Sequence, residues 1–240
     1  MLKKFFLSLL AFNAAILVAC ATVERQRTVY SSDIQPDSTI DIQHGHPDGL
    51  LRVASINVAH GRKDSFNQLF LSESSFKENL EDIAVVLRQN KPHIVALQEA
   101  DAASLWSGSF DHVKYLSSAA AYPWRTQVSN AEGWLYSYGT ALLSQLPLAE
   151  TIKHTFKPSP PTLDKGFVLA QIVWPHVGKN KSTVIDVVSV HLDFSRQSVR
   201  EQQINEMVEI LSARMNPTII MGDFNSEWMA EASVIKELEI

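Results

Sequence analysis

A mixed α/β (α+β) domain is the fold class that this 240-residue sequence predicts, and three observations carry it. Apolar runs of strand length recur along the chain. Segments with helical spacing stand between some of them, which indicates α/β or α+β organisation. Other neighbouring runs have no helix between them, so those connections read as antiparallel and the sheet as mixed. The length suffices for one substantial domain with a tail.

The elements follow in order. "LLRVASINV" (50–58) and "HIVALQEA" (93–100) read as strands ending in polar residues. Between them "FKENLEDIAVVLRQN" places Phe76, Leu80, Ile83, Ala84 and Leu87 at helical spacing, and Pro92 marks the stop. "GTALLSQ" (139–145), "GFVLAQIVW" (166–174) and "STVIDVVSVHLD" (182–193) are further strands, expected to pair without helices between them. "SVREQQINEMVEILSARM" sets Val199, Ile204, Met207, Val208 and Leu211 on one side of a second helix. It leads through Asn216 and Pro217 into "TIIMGDFN". "KPSPPT" and "VGKNK" are loops, and no internal repeat is present.

The amino terminus is not part of the domain. Lys3 and Lys4 precede an apolar run over 5–19, the pattern of a secretory signal, and the run is too short for a comfortable membrane span. Leu17, Val18 and Ala19 before Cys20 resemble the lipobox of bacterial lipoproteins, which implies lipidation at Cys20. Cys20 is the single cysteine, so an intrachain disulfide is excluded. The expectation is a signal peptide over 1–20, a polar linker over 21–49 and a domain over 50–240. Anchoring through the N-terminal lipid would place that domain in the cell envelope, outside the cytoplasm. His44 and His46 read as part of a solvated tether, since no third ligand type stands beside them.

Composition narrows the partners. Hydrophobic residues at 45% and charged residues at 20% are ordinary for a globular protein. A net charge of -5 gives no support to a broad electrostatic grip on nucleic acid. The sequence contains neither a Gly-rich phosphate loop nor a Gly-x-Ser-x-Gly elbow.

Four strands end in polar residues of one chemical type: Asn57, Glu99, His191 with Asp193, and Asp223 with Asn225. Strand ends of one sheet converge on a single crevice. Glu and Asn supply the oxygen donors a hard divalent cation prefers. A histidine can donate to a phosphoryl oxygen gaining charge, and an aspartate can take a proton from water. Each residue alone has a bland reading, as a strand-ending turn or a satisfied core histidine. Lys165 reads either as a site neighbour or as a solvated loop charge. Most of the aromatic-rich stretch from Trp106 to Tyr136 is assigned to packing.

"SIN", "ALQEA", "GTALLSQLPL", "VSVHLD" and "MGDFN" occur in that order and together resemble the endonuclease/exonuclease/phosphatase family. The resemblance covers the chain from about Leu50 onward. It implies a four-layer sandwich of two mixed β-sheets flanked by helices, and phosphoester hydrolysis with Mg2+ or Mn2+. Carried over, Glu99 is a metal ligand and Asn57 helps hold metal or phosphate. His191 is the phosphoryl donor, Asp223 activates or orients water, Asn225 orients phosphate, and Asp193 supports the site. Tyr136 and Tyr138 stand near it without an assigned role. The implied substrates are a nucleic acid, a phospholipid or an inositol phosphate, with no protein partner inferable. A binding or scaffold lipoprotein that keeps the fold without turnover is the alternative. The family's pattern continues into an Asp-His strand, while no histidine follows His191 here, so a C-terminally incomplete domain is expected.

Overall fold

One sheet orders the strands β1 (Thr28–Ser31), β6 (Ala149–Thr155), β7 (Gly166–Pro175), β8 (Ser182–His191) and β9 (Thr218–Asp223), and the other orders β2 (Val53–Asn57), β3 (Ile94–Asp101), β5 (Ser137–Ser144) and β4 (Trp124–Glu132). The computed structural model describes residues 28–31, 49–68, 71–176 and 181–226. Cys20, His44 and His46 lie outside the described residues. The chain runs through β1 (Thr28–Ser31), β2 (Val53–Asn57), a 3-10 turn (Ala59–Gly61), α1 (Glu73–Asn90) and β3 (Ile94–Asp101). Then follow α2 (His112–Ala119), β4 (Trp124–Glu132), β5 (Ser137–Ser144) and β6 (Ala149–Thr155). The last elements are β7 (Gly166–Pro175), β8 (Ser182–His191), α3 (Gln197–Ser212) and β9 (Thr218–Asp223).

Both sheets are mixed for the same reason. A helical crossover returns the chain parallel, so α1 joins parallel β2 and β3, and α3 joins parallel β8 and β9. The remaining pairs are antiparallel. Local chemistry sets the helix ends. The Ser72 hydroxyl accepts from the Ser75 amide at 3.2 Å to start α1, and Lys91 ends it in the left-handed region. The Asp111 carboxylate accepts from the Lys114 amide at 2.8 Å to start α2.

Period-two alternation builds the layers. Val95 and Leu97 of β3 face Ala84 and Leu87 of α1 and Leu116 of α2, whereas Ile94 and Ala96 face the second sheet. In β7 and β8, Val168, Ala170 and Val187 point between the sheets. Phe167, Leu169, Val188 and Val190 point to Ile204, Met207 and Leu211 of α3. The expected four-layer sandwich is therefore the fold. Each fully buried aliphatic side chain contributes about 1.5–3 kcal/mol.

The strand expectations change in three places. "GTALLSQ" does not pair with "GFVLAQIVW": β5 pairs with β3 and β4, and β7 lies in the other sheet between β6 and β8. The lack of a helix between them reflects a passage from sheet to sheet through β6. Thr28–Ser31, within the segment read as a polar linker, pairs antiparallel with β6. β4, β6 and the eight-residue α2 are additional to the elements read from periodicity.

Candidate active site

The alternation that builds the core also aims the site. Ile56, Val190 and Gly222 fall on one parity, and Asn57, His191 and Asp223 on the other. The second set follows Val187 and Met221 toward the space between the sheets. His191 and Asp223 are register partners at the ends of parallel β8 and β9. Gly222 permits this approach, because a Cβ there would sit 2.0 Å from the Val190 carbonyl oxygen. That is why a glycine interrupts the apolar run of "TIIMGD".

Glu99 does not obey the alternation. Leu97 and Ala100 both pack with the helix layer, so one extra residue has been inserted between them. The β3–β5 register shifts between Gln98 and Ala100, and Glu99 sits at that bulge with φ of 50°. Bulges re-aim side chains beside functional sites. Without it, regular pleating would send Glu99 toward the helices.

Across the two sheets, Asn57 Nδ2 donates to Asp223 Oδ2 at 3.0 Å, while Asn57 Oδ1 accepts from the Ala59 amide at 2.9 Å. The Asn225 amide donates to Asp223 Oδ1 at 3.0 Å. Both Asp223 oxygens are thus held, yet its side chain stays 30% exposed and open to a ligand. The Asn225 side chain donates to the Leu192 carbonyl at 3.0 Å, so it also fixes the turn. His191 Nε2 lies 3.8 Å from Asp223 Oδ2.

Asp193 has a different character. It is fully buried and accepts from Thr162 Oγ1 at 2.6 Å, from the Ser195 amide and hydroxyl at 2.8 and 2.7 Å, and from the Arg196 amide at 2.9 Å. Burial pushes its carboxyl up, but the Thr162 and Ser195 hydroxyls and the two amides outweigh that and hold it at about 2. It ties the loop after β8 to the start of α3.

Lys165, one of the undecided residues, is a site neighbour. It is buried, and its Nζ stands 3.4 Å from both ring nitrogens of His191. An in-plane atom at those equal distances would collide with Cε1–H, so the ammonium lies over the ring face. Burial first, then this ammonium, push His191 down to about 4, against the opposing pull of Asp223 and Glu99. Burial likewise lowers Lys165, countered by Glu99, Asp223 and Asp193.

Two site residues escaped sequence reasoning. His60 Nδ1 lies 2.8 Å from Asp101 Oδ1, and His60 Nε2 lies 3.4 Å from Glu99 Oε2. The signal, a histidine three residues after a strand-ending Asn and an Asp two after Glu99, carries no periodicity. Trp106, Tyr136 and Tyr138 form an aromatic group beside them, with Trp106 to Tyr136 centroids 5.0 Å apart. Burial, then Glu99 and Asp101, raise the Tyr138 hydroxyl pKa.

The donor set fits a hard cation in part. Glu99, 22% exposed, offers a carboxylate, and the Asn57 carbonyl keeps one lone pair. Among the described residues no three His, Cys, Asp or Glu side chains form a ready cage.

Solved structures share the fold. An endonuclease/exonuclease/phosphatase family protein from Leptotrichia buccalis C-1013-b superposes with TM-score 0.56 at 15% identity, over 79% of this chain and 72% of its own. D. rerio TDP2, humanized by 14 mutations, gives 0.53 at 18%, over 78% and 70%. The mannosyl-6-phosphatase of Bacteroides thetaiotaomicron VPI-5482 gives 0.50 at 14%, over 76% and 68%. No curated protein matches the sequence. The model of the Endonuclease/Exonuclease/phosphatase family matches residues 54–232, well over half of the chain, and the protein belongs to that family.

Proposed function

We propose that the protein is a divalent-metal-dependent hydrolase of phosphoester bonds, held at a membrane by a lipid on Cys20. The observation that carries the catalytic part is the Asn57–Asp223 bond between the two sheets, with His191 beside Asp223. It gathers an acceptor and a donor at one point, as hydrolysis requires.

In this reading Glu99 and Asn57 hold Mg2+ or Mn2+, which when bound neutralises charge on the phosphoryl oxygens. Asp223 Oδ2 takes a proton from the attacking water, and the Asn57 and Asn225 donors fix the direction of its free lone pairs. His191, neutral near pH 7, donates a ring N–H to a phosphoryl oxygen. Lys165 adds a buried positive charge facing the same group. Nucleic acid, phospholipid and inositol phosphate all present that group; the acidic balance tilts against duplex DNA, and membrane anchoring favours a lipid or a scavenged phosphoester.

The test is a pair of variants assayed on bis-nitrophenyl phosphate, nicked plasmid and sphingomyelin. Glu99→Ala should lose both Mg2+ binding and hydrolysis, whereas Asp223→Asn should keep the metal and lose turnover. Unchanged activity in both variants removes the site.

The anchor rests on the basic start, the short apolar run and the lone cysteine. No helix among the described residues is long and apolar enough to cross a membrane. Cys20→Ser should change detergent partitioning, and an unmodified Cys20 in the mature protein would overturn the anchor.

A further inference from the structure

We propose that His60, backed by Asp101, is the positioning residue for the Glu99 carboxylate; this rests on the reading of Glu99 as the cation's ligand. The imidazole spans two carboxylates, with Nδ1 2.8 Å from Asp101 Oδ1 and Nε2 3.4 Å from Glu99 Oε2. Asp101 is 1% exposed, and its Oδ2 is buried with no partner among the described residues. A buried carboxylate with one hydrogen-bond partner holds that partner in place, because turning the ring away would strand the charge.

Packing closes off the other motions. The ring meets Tyr138 edge-on at 4.5 Å and Trp106 edge-on at 6.2 Å. The turn that carries it is tied to α1 by Asn79 Nδ2, which donates to the Gly61 carbonyl at 2.9 Å. Both His60 (φ 56°) and Glu99 (φ 50°) occupy the left-handed region, which non-glycine residues seldom adopt. Strain of this kind persists where the surroundings over-determine it, and here two strained residues point at one another. A carboxylate on a bulge has a choice of rotamers, and the His60 strut selects one before a cation arrives. Partners of a metal-binding carboxylate typically contribute about 10–100-fold in metal affinity.

The experiment is a Mn2+ titration of the full chain followed by electron paramagnetic resonance, with thermal unfolding as a control. His60→Asn and His60→Gly suit the left-handed backbone and remove the reach of the ring. Both should bind Mn2+ about 10–100-fold more weakly while remaining folded at the assay temperature, with a lowered unfolding midpoint because Asp101 loses its buried partner. Asp101→Asn should move affinity in the same direction. Free imidazole should restore affinity to His60→Gly, which a purely structural role would not allow. Should His60→Gly unfold, His60→Asn decides. Mn2+ affinity equal to the parent's in the folded variants overturns this inference alone. A parent protein that takes up no Mn2+ overturns the reading of Glu99 as ligand, and this inference with it.

Discussion

His60 and His191 enter the same site from different sheets, the first from the turn after β2 and the second from the end of β8. His60 sits between two carboxylates, Asp101 and Glu99. His191 sits under the Lys165 ammonium, with Asp223 farther off at 3.8 Å. The first neighbourhood favours a ring that holds anions in place. The second favours a neutral ring whose N–H is free for an incoming oxygen. Under the proposed function, this opposite company would divide the labour between two identical side chains: one orienting the metal-binding carboxylate, the other serving the phosphoryl group.

The largest effect should come from breaking the second role. His191→Ala removes a donor aimed at developing charge, and losing one such donor costs about 10²–10³-fold in kcat. Mn2+ affinity should stay at the parent value, because the cation's carboxylate is held by the other histidine. His60 variants should show the reverse pattern, weak metal binding with near-parent turnover at saturating Mn2+. If both sets of variants lose metal affinity and turnover together, the division collapses into one shared network.

Asp193 and Asp223 offer a parallel contrast at the ends of neighbouring strands. Asp223 is part exposed and available, while Asp193 is buried and fully occupied by loop donors. The folded Asp193 carboxyl at about 2 lies below its ordinary 3.8. A depressed carboxyl contributes stability that is present above pH 3.8 and lost as pH falls toward 2. The shift corresponds to about 2 kcal/mol. Asp193→Asn should therefore lower unfolding free energy by about that amount at pH 7, read by urea denaturation. The loss should shrink below pH 4, where the parent surrenders the same contribution. A loss that persists undiminished at pH 2 would mean that packing, not charge, holds the loop.

How much of this was legible from the residues depended on how local each signal was. Asn57, Glu99, His191 and Asp223 stand at the ends of apolar runs, so strand pleating and the run boundaries exposed them. The α1 face was legible because Phe76, Leu80, Ala84 and Leu87 repeat at helical spacing, and all four are buried. β4 was not, since "WRTQVSNAE" mixes buried and part-exposed polar residues with little apolar contrast. The bulge at Glu99 leaves no compositional trace, because it is the pairing with β5 that creates it. His60 and Asp101 are 41 residues apart and meet through the parallel pairing of β2 and β3. Lys165 precedes a strand like many loop lysines, and the β7–β8 register alone sets its neighbour Gly166 opposite His191.

The smallest expected effect is also the sharpest test of the contrast between the histidines. Lys165→Met keeps the length and apolar stem of the side chain while removing the charge over the His191 ring. Burial is the larger cause of the depressed His191 value of about 4, and the ammonium is the second. Removing only the second should let the ring protonate at a higher pH, yet still below its ordinary 6.5, because the ring remains buried. Nuclear magnetic resonance of the His191 ring protons across pH 3 to 8 reads this directly. The stability consequence has a fixed sign. A histidine with a depressed folded value destabilises the fold as pH falls below the unfolded value, so the variant should lose less stability than its parent between pH 6.5 and 4. Turnover should fall as well, since a positive charge facing the phosphoryl group is gone. A His191 titration that does not move would show that burial alone keeps the ring neutral. The Lys165 ammonium over the ring would then have no bearing on the protonation of His191.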